Sequence, residues 1–302
     1  MNTDSLPDFV VIGAARSGTT AIHSYLRQCP DIFLPSVKEP NFFAYEGMNL
    51  DVTGPGAEFI NNSVTDLAAY NALFADAGPN AIKGEASPLY LYEPNAPENM
   101  ARHVPNAKIV VILRNPIEQA FSHYLYARKL AIEVEPDFTK ALMKEADRLS
   151  RGWQPLFGYS QFPRYGSQLK RWMKHFDPEQ FFIRTYDDFT ADPKTVMQDM
   201  VRFVGVTTPF VPDMSKKLNA GGVPKSTAFQ DFLMRPNAVT GAIGMVVPQK
   251  TRLAIRDWLA GFNVRKEIEM TENAREILRE RLAAEIMDTG RLLQRDLRHW
   301  LD

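Results

Sequence analysis

The chain has very little cysteine: Cys29 is the only one. A single thiol excludes an internal disulfide and leaves too few sulfur ligands for a cysteine-based zinc centre. There is no excess of charge of either sign, since 35 Lys and Arg face 36 Asp and Glu for a net charge of −1. That balance argues against nucleic-acid binding through bulk basic charge, although a local basic pocket fits inside a neutral total. No apolar run approaches the roughly 18 residues that suggest a membrane span. The first eight residues carry two Asp and no Lys or Arg, unlike a signal peptide. No internal period of repeat-protein length is present, which excludes a solenoid. These absences together lead to the expectation of a soluble, cytoplasmic protein with no nucleic-acid partner and no membrane span.

What is present is ordinary globular material: 302 residues, 45% hydrophobic and 24% charged. At this length roughly three quarters of the unfolded surface can be buried, so no staple is needed. Phe9-Val10-Val11-Ile12 is short, β-branched and ends in Gly13, as a buried strand does. A Gly/Ser/Thr loop follows, then a helical stretch with Ile22 and Leu26 four apart. Residues 31–80 are rich in Pro, Gly and Asn and read mostly as loop with short helices. Further strands are expected over 81–85, 108–113 and 180–186. Asn115 and Pro116 supply a helix N-cap and its first residue. Leu169, Trp172, Met173 and Phe176 suggest a helix within 160–175. Asp192-Pro193 opens a helix that ends at Gly205, and Ile277, Leu278, Leu282 and Ile286 form one stripe of a C-terminal helix. Residues 212–226 read as a mobile loop. The pattern predicts an α/β protein of three-layer, P-loop type, with a central, mostly parallel sheet flanked by helices on both faces. We read it as one domain over 1–302, helical from about residue 250.

Two segments carry chemistry. Gly13-Ala14-Ala15-Arg16-Ser17-Gly18-Thr19-Thr20 lies between a strand and a helix, where glycines turn backbone N–H groups toward an anion and the helix N-terminus adds positive potential. The spacing nearly matches the Walker A pattern, but Thr19 stands where its lysine belongs, and the cation is Arg16. The second segment is Arg114-Asn115-Pro116, at the carboxyl end of the strongest strand, with Ser122 eight residues beyond Arg114. An Arg at that end of a parallel strand faces the crevice where open α/β sheets bind ligands, and its fork suits phosphate.

Together these residues resemble the sulfotransferase family that uses 3′-phosphoadenosine 5′-phosphosulfate (PAPS). Arg16, Ser17, Gly18, Thr19 and Thr20 resemble its 5′-phosphosulfate loop, and Arg114 with Ser122 resembles its 3′-phosphate motif. Lys38-Glu39-Pro40-Asn41-Phe42-Phe43 is similar to the Glu-x-x-Phe-Phe motif of the heparan sulfate branch. Glu85-Ala86-Ser87-Pro88-Leu89-Tyr90 resembles that branch's Glu-Lys-[Ser/Thr]-x-x-Tyr segment, and Tyr165, seven residues before Trp172, its Tyr-x6-Trp helix. The resemblance runs from about residue 8 to 206 and more weakly to 230. It implies a soluble, bacterial-type enzyme that moves a sulfuryl group to an acceptor hydroxyl, a carbohydrate or glycosylated small molecule, without a metal and with adenosine 3′,5′-bisphosphate as product.

The resemblance also implies roles. Glu39 is the candidate base, Arg16 the electrostatic stabiliser of the leaving oxygen, and Arg16, Ser17, Gly18, Thr19, Thr20, Arg114, Ser122, Tyr165 and Lys225 the donor-binding set. Lys225 follows Pro224 and best matches a late basic loop; Lys216 and Lys217 precede it. The family lysine beside Glu85 is Ala86 here, so Lys38 or Lys83 is expected to replace it, or Arg16 to carry more of the charge. Glu85 is open between an acceptor-side carboxylate and an ion-pair partner. His23 is the second candidate for base, and His123 is expected on the helix surface or in packing. Trp153, Phe157, Tyr159 and Phe162 are either the wall of an acceptor cleft or core. Two other readings compete: a P-loop nucleotide kinase, and a non-catalytic member that binds nucleotides or sulfated ligands.

Overall fold

A computed structural model describes residues 6–215, 223–224, 264–265 and 268–302. Lys216, Lys217, Lys225, most of the 212–226 loop and the segment 230–250 lie outside the described residues. Five strands, β1 (Phe9–Gly13), β2 (Ile32–Phe33), β3 (Ile82–Ala86), β4 (Lys108–Leu113) and β5 (Phe181–Thr185), form one sheet in the order β2-β3-β1-β4-β5. Every pairing in it is parallel, so the expected mostly parallel sheet is wholly parallel. Two short strands, β6 (Val223–Pro224) and β7 (Val264–Arg265), pair antiparallel apart from it.

The sheet is buried on both faces because its residues alternate between two apolar layers. Val10, Ile12, Ile109, Val111 and Leu113 point into one layer. Phe9, Val11, Val110 and Ile112 point into the other. The second layer is closed by α1 (Thr19–Leu26), α10 (Tyr186–Ala191) and α11 (Pro193–Val204). The first is closed by α2 (Phe42–Tyr45), α4 (Leu67–Ala72), α5 (Ala96–His103), α6 (Pro116–Lys129), α9 (Tyr165–Trp172) and a last helix, α12 (Glu272–Leu293). Three short helices, α3 (Glu58–Asn61), α7 (Phe138–Met143) and α8 (Glu145–Ser150), sit in the long connections. Gly84 is required in the sheet: a Cβ there would lie 2.1 Å from the ring of Phe9, its partner across the β1–β3 ladder.

Local chemistry sets the element ends as expected. Asn115 Oδ1 accepts from the N–H groups of Ile117 (2.9 Å) and Glu118 (3.4 Å), and Pro116 opens α6. Asp192 caps α11 through Thr195 N–H at 3.0 Å, and Gly205 ends it at φ 116°. The helix expected within 160–175 is shorter, Tyr165–Trp172, yet Phe176 beyond it is still buried. The loop-rich 31–80 segment also supplies an edge strand, β2, whose two residues are too few to show alternation.

The order of the strands matters for function. After β1 the chain moves outward to β2 and β3 on one side, and β4 and β5 then extend the other. The crevice where that direction reverses lies at the carboxyl ends of β1 and β4, which is where open α/β sheets bind ligands.

Candidate active site

Both anion motifs open onto that crevice. Residues 14–18 leave β1 and turn sharply, with Arg16 at φ 65° and Gly18 at φ 86°. A positive φ comes readily to Gly18, where a Cβ would stand 3.3 Å from the Phe189 ring, and is uncommon for Arg16. Among the described residues the backbone N–H groups of Gly18, Thr19 and Thr20 have no hydrogen-bond partner. They stand at the start of α1, where the helix contributes positive potential.

Arg16 and Arg114 are arranged around one another. The Arg114 Nη1 donates to the Arg16 backbone carbonyl at 3.3 Å. The Arg16 guanidinium lies 4.3 Å from the Tyr126 ring centroid and that of Arg114 lies 5.2 Å from Tyr186. Burial lowers the pKa of Arg16, with Tyr126 opposing and Arg114 adding to the drop; arginine remains a cation regardless. The stacked rings fix the two forks by cation–π contact without neutralising them.

The crevice is a cleft of about 790 Å³. Arg16, Gly18, Thr19, Thr20, Arg114 and Ser122 all line it. Its apolar walls include Tyr25, Phe121, Leu125, Phe189 and Met214. Met214 is held near α1 by its neighbour Asp213, whose N–H donates to Gln28 at 2.7 Å.

Glu39 stands beside the phosphate loop rather than in the cleft. It pairs with Lys38, whose ammonium also donates to Thr20 Oγ1 at 3.3 Å. Its charge reaches Arg16, Tyr126 and Glu85. Glu39 and Asn41 both hold positive φ, 59° and 56°, on either side of Pro40.

The sulfotransferase domain family model matches residues 6–220. The chain belongs to the sulfotransferase domain family. It is 29% identical over 225 residues to the human bifunctional heparan sulfate N-deacetylase/N-sulfotransferase 3, over 67% of this chain and 23% of that protein. The chain thus spans about a quarter of the length of such relatives. The membrane-associated sulfotransferase kil1 of Dictyostelium discoideum is 29% identical, over 67% of this chain and 56% of its own length. Among solved structures, a sulfotransferase from Alicyclobacillus acidocaldarius superposes with a TM-score of 0.76 at 29% identity, covering 98% of this chain and 99% of that one. No helix among the described residues is long and apolar enough to cross a membrane.

Several sequence expectations are met differently in the structure. Ser17, within the loop, and Tyr165 are fully buried and stand outside the cleft lining. The Tyr165 hydroxyl faces Ser17 and the Arg114 backbone, but neither hydroxyl has a well-formed hydrogen bond. Lys225 lies outside the described residues. Glu85 has no ion-pair partner among the described residues: it is fully buried and held by three hydroxyls, from Tyr70 at 3.0 Å, Ser87 at 2.8 Å and Tyr90 at 2.7 Å. Ala86 points into the apolar layer with Phe9, Val11 and Ile22. Lys83 sits near the other end of β3, and Lys38 brings its ammonium to the phosphate loop instead.

His23 is buried beside Lys38, and burial with that positive neighbour pushes its pKa down to about 4. It is therefore neutral near pH 7. His123 is a packing residue as expected, buried edge-on between Tyr159 and Phe162 with its pKa pushed down to about 3, by burial first and then by Arg16. Phe157, Tyr159 and Phe162 are core, and Trp153 packs against it. Sequence reasoning passed over Tyr126 and Tyr186. Tyr186 follows β5 directly and so had to emerge on the ligand edge. Nothing local marked Tyr126.

Proposed function

We propose that the protein transfers a sulfuryl group from PAPS to an acceptor hydroxyl, on a carbohydrate or a glycosylated small molecule. The observation that carries this reading is the convergence of Arg16, Thr19, Thr20, Arg114 and Ser122, from two separate motifs, on one cleft of about 790 Å³. The donor carries anions at two positions, and two cations from separate motifs, Arg16 and Arg114, line one cleft with apolar walls. The unpaired loop N–H groups and the orphaned Arg16 Nε suit a phosphosulfate. The names of the heparan sulfate N-deacetylase/N-sulfotransferase relatives point to a polysaccharide substrate, which supports a carbohydrate-like acceptor.

The chain's residues divide the work. Arg16 and Lys38 hold the negative charge that gathers on the phosphate oxygen as its bond to sulfur breaks. Thr19, Thr20 and the loop N–H groups keep that oxygen in line with the acceptor. Glu39 takes the acceptor's proton as the new sulfur–oxygen bond forms. Positioning and preorganised charge account for the rate, as in phosphoryl transfer.

Thermal unfolding with adenosine 3′,5′-bisphosphate, compared with ATP plus Mg²⁺, tests the reading. At 100 times its Kd a ligand adds about 2.7 kcal/mol, a rise of a few degrees in Tm. The expected result is a shift with the bisphosphate alone, abolished by Arg114→Ala. A shift only with ATP and Mg²⁺ would instead support a nucleotide kinase. Bisphosphate binding without turnover of any carbohydrate or phenolic acceptor would support a non-catalytic member.

A further inference from the structure

We infer that Glu85 is a positioning residue for Glu39, acting through Ser87 and Tyr90 on the backbone that carries it. The inference rests on the proposed role of Glu39 as base. Glu85 is the fourth residue of β3 and is locked in register with Val10 of the central strand. Its Oε1 accepts from the Tyr70 and Tyr90 hydroxyls and its Oε2 from Ser87. No cation faces it among the described residues. These O–H donors are what make a carboxylate tenable there.

Two of the three donors pass the interaction on. Ser87 Oγ accepts from Asn41 N–H at 3.2 Å, and Tyr90 Oη accepts from Phe43 N–H at 3.3 Å. A hydroxyl has one proton and two lone pairs. With that proton committed to Glu85, the lone pairs are left to receive the two backbone N–H groups. The carboxylate thus sets the direction of both bonds.

The backbone held in this way is the strained one. Glu39 and Asn41 occupy the left-handed region on both sides of Pro40. Such conformations persist only where the surroundings fix them. Asn41 is tied once more through its side chain to Ser63 Oγ at 3.1 Å, and Phe43 packs between Tyr70 and Tyr90. Burial pushes the Glu85 carboxyl up to about 7, the three hydroxyls pull it down, and Glu39 pushes it up, so the two carboxyls share one electrostatic neighbourhood. Glu85, Ser87 and Tyr90 therefore work as one unit that couples the Glu39 turn to the rigid sheet carrying the phosphate loop.

The test compares Glu85→Gln, Ser87→Ala and Tyr90→Phe, each alone and with Glu39→Gln. Tyr90→Phe keeps the ring and serves if Glu85→Gln fails to fold. Amide hydrogen exchange over residues 39–45 needs no activity: roughly tenfold faster exchange is expected there, with residues 9–13 unchanged. In turnover with PAPS, kcat is expected to fall about tenfold or more while bisphosphate affinity holds, and to fall no further in the Glu39→Gln background. Unchanged exchange overturns the inference, as does an equal loss of kcat with and without Glu39. If the wild type turns over no acceptor while exchange responds as expected, the proposed function fails and the relay stands.

Discussion

Lys38 is the side chain that most changes the reading of the chemistry. It contacts both the phosphate loop, through Thr20, and the candidate base, through Glu39. Both are partly exposed, so their ion pair by itself adds little stability. On the proposed function its effect would fall in the transition state, where a cation beside the leaving oxygen is worth most. Lys38→Met is expected to lower kcat by about 10²-fold with less than threefold change in bisphosphate affinity. Glu39→Gln is expected to lower kcat by about 10²–10⁴-fold, the usual contribution of a general base, again with donor binding retained. Steady-state kinetics beside calorimetric titration of the bisphosphate separates the two effects. A loss of donor affinity in Glu39→Gln would place that carboxylate in the binding site instead.

At the scale of elements, the site depends on how two helices begin. α1 starts at Gly18 with its first N–H groups unpaired, and α6 starts at Asn115 with two N–H groups satisfied by the cap. The first helix end is left open toward the cleft and the second is closed. Capping of α6 fixes the residue after Arg114, so the cap supports both the helix and the direction of the guanidinium. Asn115→Ala is expected to lower stability by about 1 kcal/mol. It should also weaken bisphosphate binding several-fold, whereas Asn115→Asp should keep both. Urea unfolding and the thermal shift measure the two effects on the same samples. The caps at Asn115 and Asp192 and the runs of β1 and β4 were legible in the sequence because they rest on neighbours within four residues, whereas Tyr186, expected in a strand, opens α10. The length of α9 and the two-residue strand β2 were not, because packing of Phe176 and pairing with β3 decide them.

The whole molecule carries buried titratable groups whose effects on stability oppose one another. The Glu85 carboxyl rises from an ordinary value of 4.5 to about 7, mainly because burial disfavours its charge. Between those values the unfolded chain has released a proton that the folded chain keeps. Stability from this group is therefore present below about pH 4.5 and lost as pH rises to 7. The loss amounts to about 3 kcal/mol. His23 and His123, pushed down to about 4 and about 3, have the reverse slope, since unfolding takes up protons as pH falls below about 6.5. Wild type alone should show a muted profile. The difference between wild type and Glu85→Gln isolates the carboxyl. Its unfolding free energy relative to the variant is expected to fall by about 3 kcal/mol from pH 4.5 to 7.5. Urea titrations at the two pH values decide, and a flat difference would mean that the carboxyl titrates normally.

By itself the sequence determined the layers and two of the segments that line the cleft. The runs of β1 and β4, the Gly/Ser/Thr loop and the Arg114-Asn115-Pro116 cap are local, and short-range sterics with hydrogen bonding dictate them. Topology then has little choice about which ends of parallel strands face the crevice. Only the tertiary structure decided that Lys38 reaches the loop hydroxyl of Thr20, which aromatic rings hold the arginines, and what holds Glu85. Those outcomes bring together residues such as Lys38 with Thr20 and Arg16 with Tyr126. Their side chains meet because the sheet order and the packing of its two faces place them together, and no local spacing encodes such a meeting.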